Sequence, residues 1–203
     1  ALLSWPMHGI NPAFFGFHLL YIGGSICPMP LDWYGVDSAT SSPKQYLDYL
    51  RDSGCTMISL SPAHFHDLLN LPSTDRHKVE NMELLIVLTG AQCHTQTKVS
   101  IKSDLFPNSR LFEAYGSTEA GLVTLLKLDG EMFDADSVGH EPSGVPLSRI
   151  VQVGEGVDVE DGQVGELVVQ TPMMFQGYHN NEQLNSKVFL SDGSFATGDL
   201  ARR

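Results

Sequence analysis

Helical and strand patterns alternate along the chain from its start to about residue 128, and short connections rich in proline or glycine separate them. Two of the strand patterns, residues 56–60 and the LLIVL run at residues 84–88, are almost continuously apolar. Such runs are typical of strands that are buried on both faces of a sheet. The alternation therefore predicts βα units stacked around a mostly parallel sheet, which is an α/β fold.

Capping signals predict where the helices of this part lie. Asparagine or serine followed by proline opens the first two helices, at residues 11–23 and 42–54, and a glycine closes each of them. Weaker patterns predict a short helix at residues 62–70 and another at residues 95–105. A third short strand is predicted at residues 110–114, directly before a glycine-containing turn.

The composition changes after Gly130, where glycine, aspartate and valine become frequent and short period-two runs begin, such as residues 164–170. Two Asp-Gly pairs, at residues 161–162 and 192–193, are flanked by strand-like residues. Asp-Gly between such residues is a strong signal for a β-hairpin. This part is therefore predicted to be a smaller, antiparallel, β-barrel-like subdomain.

The shift in composition places a boundary between residues 128 and 136. We predict an incomplete α/β part at residues 1–130 and a β-rich subdomain at residues 131–203. The chain begins without methionine and ends shortly after a Gly-Asp pair that resembles the middle of a strand–turn unit. We therefore expect it to be a piece of a longer protein.

Charge and cysteine content exclude several classes of protein. The chain has 24 acidic and 12 basic residues, and its net charge of −12 repels nucleic acid and anionic lipid. No apolar run approaches the roughly 18 residues that a membrane-spanning helix needs. Its three cysteines are far apart, which argues against disulfides and a zinc cluster. We expect a cytoplasmic protein that binds small molecules.

The YGSTE segment at residues 115–119 carries groups suited to a polyphosphate and its metal ion. Gly116 allows the backbone to approach a ligand closely, and the hydroxyls of Ser117 and Thr118 can donate to phosphate oxygens. Glu119 can bind a Mg²⁺ ion that neutralises the phosphate charge. Taken alone, the segment also fits a turn in which a hydroxyl caps a helix that begins at Glu119.

A second segment, FATGD at residues 195–199, ends in a carboxylate beside a glycine. The carboxylate of Asp199 can accept two hydrogen bonds from the vicinal hydroxyls of a ribose. In isolation the segment also fits an ordinary turn with a solvated aspartate.

Taken together and in order, these motifs resemble those of the adenylate-forming superfamily. That superfamily includes acyl- and aryl-CoA ligases, the adenylation domains of nonribosomal peptide synthetases and firefly luciferase. The matching segments are Y-G-x-T-E at residues 115–119, G-E-L at 165–167, G-Y at 177–178, T-G-D at 197–199, a Gly-Ala turn at 90–91 and an S-V-G segment at 137–139.

The resemblance implies a role for each matching residue. Thr118 would contact phosphate oxygens, Glu119 would bind Mg²⁺ and Asp199 would hold the ribose hydroxyls. The other implied ligand contacts are Tyr115, Glu113 and Ala114 beside the adenine, Gly90 and Ala91 lining the nucleotide and acyl pockets, and Gly116 and His8 at the substrate pocket. A histidine stands in this superfamily after Pro-x-x, whereas His8 comes one position early, so a structural role for His8 remains an alternative.

By the same resemblance, a substrate carboxylate attacks the α-phosphorus of ATP to give an acyl-adenylate, and the acyl group then passes to a thiol such as that of coenzyme A. An adenylation domain that loads an acid onto a carrier protein is one alternative, and a noncatalytic nucleotide-binding or scaffold protein is another. The superfamily's Pro-Lys-Gly phosphate loop and C-terminal lysine are missing from these 203 residues. We therefore expect the chain alone to be inactive.

Overall fold

A computed structural model describes the chain in five stretches, residues 1–3, 10–29, 42–128, 137–142 and 148–203. The chain forms two compact units. The first unit comprises Ala1–Ala114 and Leu126–Val138, and the second comprises Tyr115–Leu125 and Gly139–Arg203. Residues 129–136 lie outside the described stretches, so the domain boundary expected there stays a prediction.

The four predicted helices begin and end close to the expected residues, and two short helices, Ser73–Arg76 and Glu182–Val188, were not predicted. Pro43 stands at the first position of the second helix, and Gly54 follows its end in the left-handed conformation, with φ of 63°. A residue with a side chain adopts that conformation only at a cost, which is why glycine ends helices so often. The helices are α1 (Ile10–Tyr21), α2 (Pro43–Ser53), α3 (Pro62–Leu69), α4 (Ser73–Arg76), α5 (Thr95–Ser100), which a π-helical turn (Ile101–Leu105) continues, and α6 (Glu182–Val188).

The strands of the described residues form two sheets. One has six strands in the order β2-β1-β3-β4-β5-β6, and the other has three in the order β7-β8-β9. The strands are β1 (Leu2–Leu3), β2 (Cys27–Pro28), β3 (Met57–Leu60), β4 (Leu85–Leu88), β5 (Arg110–Ser117), β6 (Gly121–Lys127), β7 (Ser148–Val151), β8 (Gly165–Val169) and β9 (Phe195–Ala201).

The larger sheet is parallel through β1, β3, β4 and β5, with Ile58 opposite Ile86 and Ile86 opposite Leu111. These facing residues are fully buried, as the apolar runs predicted. Helices α2 and α3 cover them with side chains such as Tyr46 and Phe65. The mostly parallel sheet is thus confirmed. Strand β6 was not predicted, and the short turn at residues 118–120 allows it to pair with β5 only in the antiparallel sense.

The smaller sheet of the second unit is antiparallel, as expected. Ile150 of β7 lies opposite Leu167 of β8, and Val169 of β8 lies opposite Phe195 of β9. The hairpin predicted at residues 192–193 is confirmed by the bridge between Phe189 and Phe195. The hairpin predicted at residues 161–162 is wrong, because both segments that flank this turn pair with β7 rather than with each other.

Candidate functional site

The YGSTE segment forms the end of β5 and the turn into β6, in the second unit. Gly116 is required here, because a Cβ atom on it would lie 2.1 Å from the carbonyl oxygen of Gly121. Ser117 Oγ accepts a hydrogen bond of 3.0 Å from the amide of Ala120. A strand follows this turn, so the alternative of a capped helix is wrong. The turn leaves Thr118 exposed and Glu119 half-buried.

The structure brings Tyr115 and Asp199 together, although they are 84 residues apart in the sequence. The hydroxyl of Tyr115 donates a hydrogen bond of 2.6 Å to Asp199 Oδ2. Burial raises the pKa of Tyr115 well above its ordinary value, and the bond to Asp199 raises it further. The phenol therefore stays protonated and donates to the exposed carboxylate of Asp199.

The T-G-D turn that carries Asp199 is held in place by β8. Thr197 Oγ1 donates to the carbonyl of Leu167 over 2.8 Å, and the amide of Gly198 donates to Glu166 Oε1 over 3.1 Å. Thr197 Oγ1 also accepts from the amide of Asp199. Glu166 and Leu167 belong to the G-E-L segment, to which sequence analysis assigned no role in the site. The segment positions the turn that presents Asp199.

Glu119 is held by Tyr178 of the G-Y pair. The hydroxyl of Tyr178 donates a hydrogen bond of 2.9 Å to Glu119 Oε1. The backbone carbonyl of Glu119 accepts a second hydrogen bond, of 2.8 Å, from the amide of Phe175. This hydrogen bond to the carboxylate raises the pKa of Tyr178, so the hydroxyl remains protonated. The ring of Tyr178 lies edge-on to Phe175 with centroids 4.9 Å apart. The hydroxyl that holds the carboxylate is therefore carried on a ring that packs against a second aromatic ring.

Other predicted site residues lie in the first unit. Gly90 and Ala91 follow β4 in an exposed turn, and Gly90 has φ of 91°. Ala114 and Glu113 are buried on β5, and Glu113 Oε2 lies 2.5 Å from Lys98 Nζ. The proposed adenine contacts of Glu113 and Ala114 stay predictions. His8 lies outside the described residues, so its predicted place at the substrate pocket also stays a prediction.

The ion pair between Lys98 and Glu113 was not predicted from the sequence. The two side chains are 2% and 6% exposed, and Lys98 stands on α5. The neighbouring Cys93 is buried as well, and desolvation followed by the charge of Glu113 raises its pKa to about 11, while Lys98 acts in the opposite direction. Its thiol therefore stays neutral and unreactive near pH 7. A single lysine in a helical pattern gives no sign of such burial.

The described residues contain no group of three or more His, Cys, Asp or Glu side chains that could enclose a metal ion. Mg²⁺ is usually bound by one or two carboxylates, with phosphate oxygens and water completing its six ligands. Glu119, with Thr118 beside it, fits that pattern because the remaining ligands would come from a phosphate. In the same described stretches, no helix has the length and apolar character needed to span a membrane.

Comparisons with known proteins bear on the family and the fold. A family model described as AMP-binding enzyme matches residues 3–179. D-alanine–D-alanyl carrier protein ligase of Bacillus licheniformis is 27% identical over 206 residues, which cover 94% of this chain and 39% of that protein. Acyl-CoA ligase oryP of Aspergillus oryzae is 27% identical over 167 residues, which cover 77% of this chain and 29% of that protein.

A solved structure, ATP-bound MatB from Rhodopseudomonas palustris, shares the fold with a TM-score of 0.81. It is 23% identical, and the match covers 99% of this chain and 37% of that one. The chain spans 29% and 39% of the length of these two curated relatives.

Proposed function

This chain belongs to the AMP-binding enzyme family, and from that premise we propose that it is part of an AMP-forming acid–thiol ligase of the acyl- or aryl-CoA synthetase type. In the first step, an oxygen of the substrate carboxylate bonds to the α-phosphorus of ATP and the bond to pyrophosphate breaks. In the second, a thiol attacks the acyl carbon, loses its proton and displaces AMP. The thiol of coenzyme A is the acceptor we favour.

The observation that carries this proposal is the placement of Glu119 and Asp199 in one unit, each held by a tyrosine hydroxyl. Each carboxylate accepts its hydrogen bond from a neutral hydroxyl rather than from a cation, which leaves it available to a ligand. Charge neutralisation and positioning supply most of the catalysis in phosphoryl chemistry. The candidate residues accordingly supply oxygen atoms that can bind a metal ion or a hydroxyl. The reaction requires no nucleophilic side chain.

Glu119 would bind Mg²⁺, which neutralises phosphate charge, and the exposed hydroxyl of Thr118 would donate to a phosphate oxygen. Asp199 would accept hydrogen bonds from the two ribose hydroxyls, which then compete with the Tyr115 hydroxyl for the same carboxylate. The ring of Tyr115 would flank the adenine. The ligand contacts that the resemblance implies for Gly90, Ala91, Glu113 and Ala114 stay predictions. We expect the protein to act in the cytoplasm.

A second candidate is an adenylation enzyme that loads an acid onto a carrier protein. One observation favours it: the match to D-alanine–D-alanyl carrier protein ligase covers 94% of this chain, whereas the match to acyl-CoA ligase oryP covers 77%. The two candidates share the adenylation step and differ in the thiol. Assays of the longer protein with coenzyme A and with a carrier protein distinguish them.

Calorimetric titration of this chain with AMP and with ATP, each with and without Mg²⁺, tests the nucleotide site. We expect Asp199→Ala to weaken the binding of both AMP and ATP, because both nucleotides carry a ribose. Glu119→Ala should weaken mainly the Mg²⁺-dependent part of ATP binding. Asp161→Ala, which removes an exposed carboxylate from a turn outside the motifs, is the matched control and should change neither.

We also expect no thioester from the 203 residues alone, so detectable product would contradict that expectation. A folded chain, as judged by circular dichroism, that binds neither nucleotide would contradict the assignment of the site to these residues. Equal loss in all three variants would have the same meaning, because it would show a nonspecific effect of charge.

A further inference from the structure

We propose that Asn185 is a positioning residue, which fixes the backbone of Tyr178 so that the Tyr178 hydroxyl holds the carboxylate of Glu119. The inference rests on the proposed function in one respect, which is that Glu119 binds Mg²⁺. Asn185 lies on α6 and belongs to none of the motifs that carry the resemblance. The hydrogen bonds that the structure gives its side chain go to Tyr178 and not to Glu119, so it would act through Tyr178.

The amide of Asn185 makes two hydrogen bonds to the backbone of one residue. Its Oδ1 accepts a hydrogen bond of 2.7 Å from the amide nitrogen of Tyr178, and its Nδ2 donates one of 2.9 Å to the carbonyl oxygen of Tyr178. Only a side chain with both a donor and an acceptor can make this pair of bonds. Aspartate retains the acceptor and loses the donor, and alanine loses both.

The residue before Tyr178 allows this pair of hydrogen bonds, the clamp, to form. Gly177 has φ of 129°, and a Cβ atom on it would lie 3.0–3.1 Å from the side-chain amide atoms of Asn185. Its conformation is one that residues with a side chain rarely adopt. The glycine of the G-Y pair therefore lets the amide of Asn185 approach the backbone closely.

Asn185 is itself held by the start of α6. Asn181 caps the helix by accepting a 3.2 Å hydrogen bond from the amide of Leu184, and its carbonyl accepts from the amide of Asn185 over 3.0 Å. The capping side chain of Asn181 does not bond to Tyr178. The two asparagine side chains therefore have separable roles. That of Asn181 stabilises the helix, and that of Asn185 holds the backbone of Tyr178.

With its backbone clamped and its ring packed against Phe175, Tyr178 has little freedom to move its hydroxyl. That hydroxyl donates to Glu119 Oε1 over 2.9 Å. Residues that orient a metal ligand typically contribute 10–100-fold to metal affinity. Loss of the clamp would let Tyr178 and the Glu119 carboxylate adopt other orientations. We therefore expect Mg²⁺-dependent nucleotide binding to weaken by about tenfold, at the low end of that range.

The test compares Asn185→Ala and Asn185→Asp with Asn181→Ala in the full 203-residue chain, titrated with AMP and with ATP plus and minus Mg²⁺. We expect Asn185→Ala to weaken Mg²⁺-ATP binding about tenfold and to leave AMP binding unchanged, while Asn185→Asp falls between it and the wild type. Asn181→Ala should lower the melting temperature without changing the dependence on Mg²⁺. Equal effects of Asn185→Ala and Asn181→Ala on both nucleotides would overturn the inference.

A second measurement separates this inference from the proposed function. Hydrogen exchange at the Tyr178 amide and the nuclear Overhauser contact between Tyr178 and Glu119 need no nucleotide. In Asn185→Ala we expect exchange at least tenfold faster and loss of that contact, whereas Asn181→Ala retains the contact. Persistence of the contact in Asn185→Ala overturns the inference, even if Glu119→Ala shows that Glu119 binds Mg²⁺. Conversely, loss of the contact supports it even if Glu119→Ala leaves nucleotide binding unchanged.

Discussion

The two units treat their carboxylates in opposite ways. In the first unit, Glu113 is buried and lies 2.5 Å from the ammonium of Lys98. In the second, Glu119 is half-buried and Asp199 is exposed, and each accepts a hydrogen bond from a neutral tyrosine hydroxyl. A carboxylate that faces a buried cation is already neutralised and contributes to the structure. A carboxylate that accepts a hydrogen bond from a neutral phenol near the surface can still bind a cation or a hydroxyl.

This contrast leads to different expectations for substitutions. Removing one partner of a buried ion pair leaves an uncompensated charge in a medium of low polarity, and the cost appears as lost stability. Removing a phenol hydroxyl near the surface leaves a carboxylate that water can reach, and the cost is small. Loss of the carboxylate's partner should therefore cost much stability in the first unit and little in the second.

The largest effect is expected for Lys98→Met. It leaves the buried carboxylate of Glu113 without its cation, and we expect a loss of about 3–5 kcal/mol in the free energy of unfolding. Denaturation in urea measures it. The double variant Lys98→Met with Glu113→Leu should recover most of the loss, because it removes both charges. A single variant as stable as the wild type would show that the pair is not buried as described.

The next effect is expected for Gly116→Ala, which tests the turn that presents Thr118 and Glu119. Its Cβ would lie 2.1 Å from the Gly121 carbonyl oxygen, so the turn must shift, at a cost of about 1–3 kcal/mol typical of overpacking. Gly154→Ala is the control, because a Cβ atom there would meet no atom within 4 Å. Its only cost comes from the backbone φ of 78°, which residues with a side chain rarely adopt. Nucleotide binding should fall in Gly116→Ala alone. Equal stability of the two variants would contradict the close approach.

A smaller effect concerns pH and the first unit. Burial lowers the pKa of His64 from 6.5 to about 4, although Asp67 opposes this. Its Nδ1 lies 3.3 Å from the amide of Ser61 and 2.6 Å from the Ser61 hydroxyl at the start of α3. Between about pH 6.5 and pH 4 the unfolded chain takes up a proton that the folded chain does not, so stability should fall as the pH falls through this range.

Melting temperatures measured from pH 7 to pH 4 check this expectation. His64→Gln removes the titrating group, so its melting temperature should decline less steeply than that of the wild type. Identical slopes for the two proteins would show that His64 is not the group responsible.

The smallest effect is expected for Tyr115→Phe. It removes the hydrogen bond to Asp199 and keeps the ring, so the free energy of unfolding should fall by only about 0.5–1 kcal/mol. AMP affinity should change less than threefold, because the ribose hydroxyls already compete with the phenol for Asp199. Calorimetry and urea denaturation measure both quantities. A loss as large as that of Lys98→Met would remove the distinction between the two units.

Local signals were sufficient for much of the fold. Helix α2 and strand β4 follow their predicted bounds closely, because a proline, a glycine and a continuous apolar run act over a few neighbouring residues. The predicted hairpin at residues 161–162 failed because pairing with β7 is decided by distant residues. Strand β6 was missed because its pattern follows a turn that also fits a helix start.

The motifs identified candidate residues of the site but not their contacts. The bonds of Asp199 to Tyr115, of Gly198 to Glu166 and of Glu119 to Tyr178 join segments far apart in the sequence. Neither periodicity nor capping chemistry carries that information. The pair of Lys98 and Glu113 was missed for the same reason, since burial of a lysine depends on what packs over it.

The hydrogen bond between Tyr115 and Asp199 also has a consequence for synthesis on the ribosome. The two residues are 84 positions apart, so the bond cannot form until Asp199 has left the exit tunnel. The apolar core of the first unit is built mainly from residues that emerge earlier. Contacts of long sequence separation form slowly, and domains generally fold in order of emergence. The nascent chain should therefore have a folded α/β core well before it has a nucleotide site.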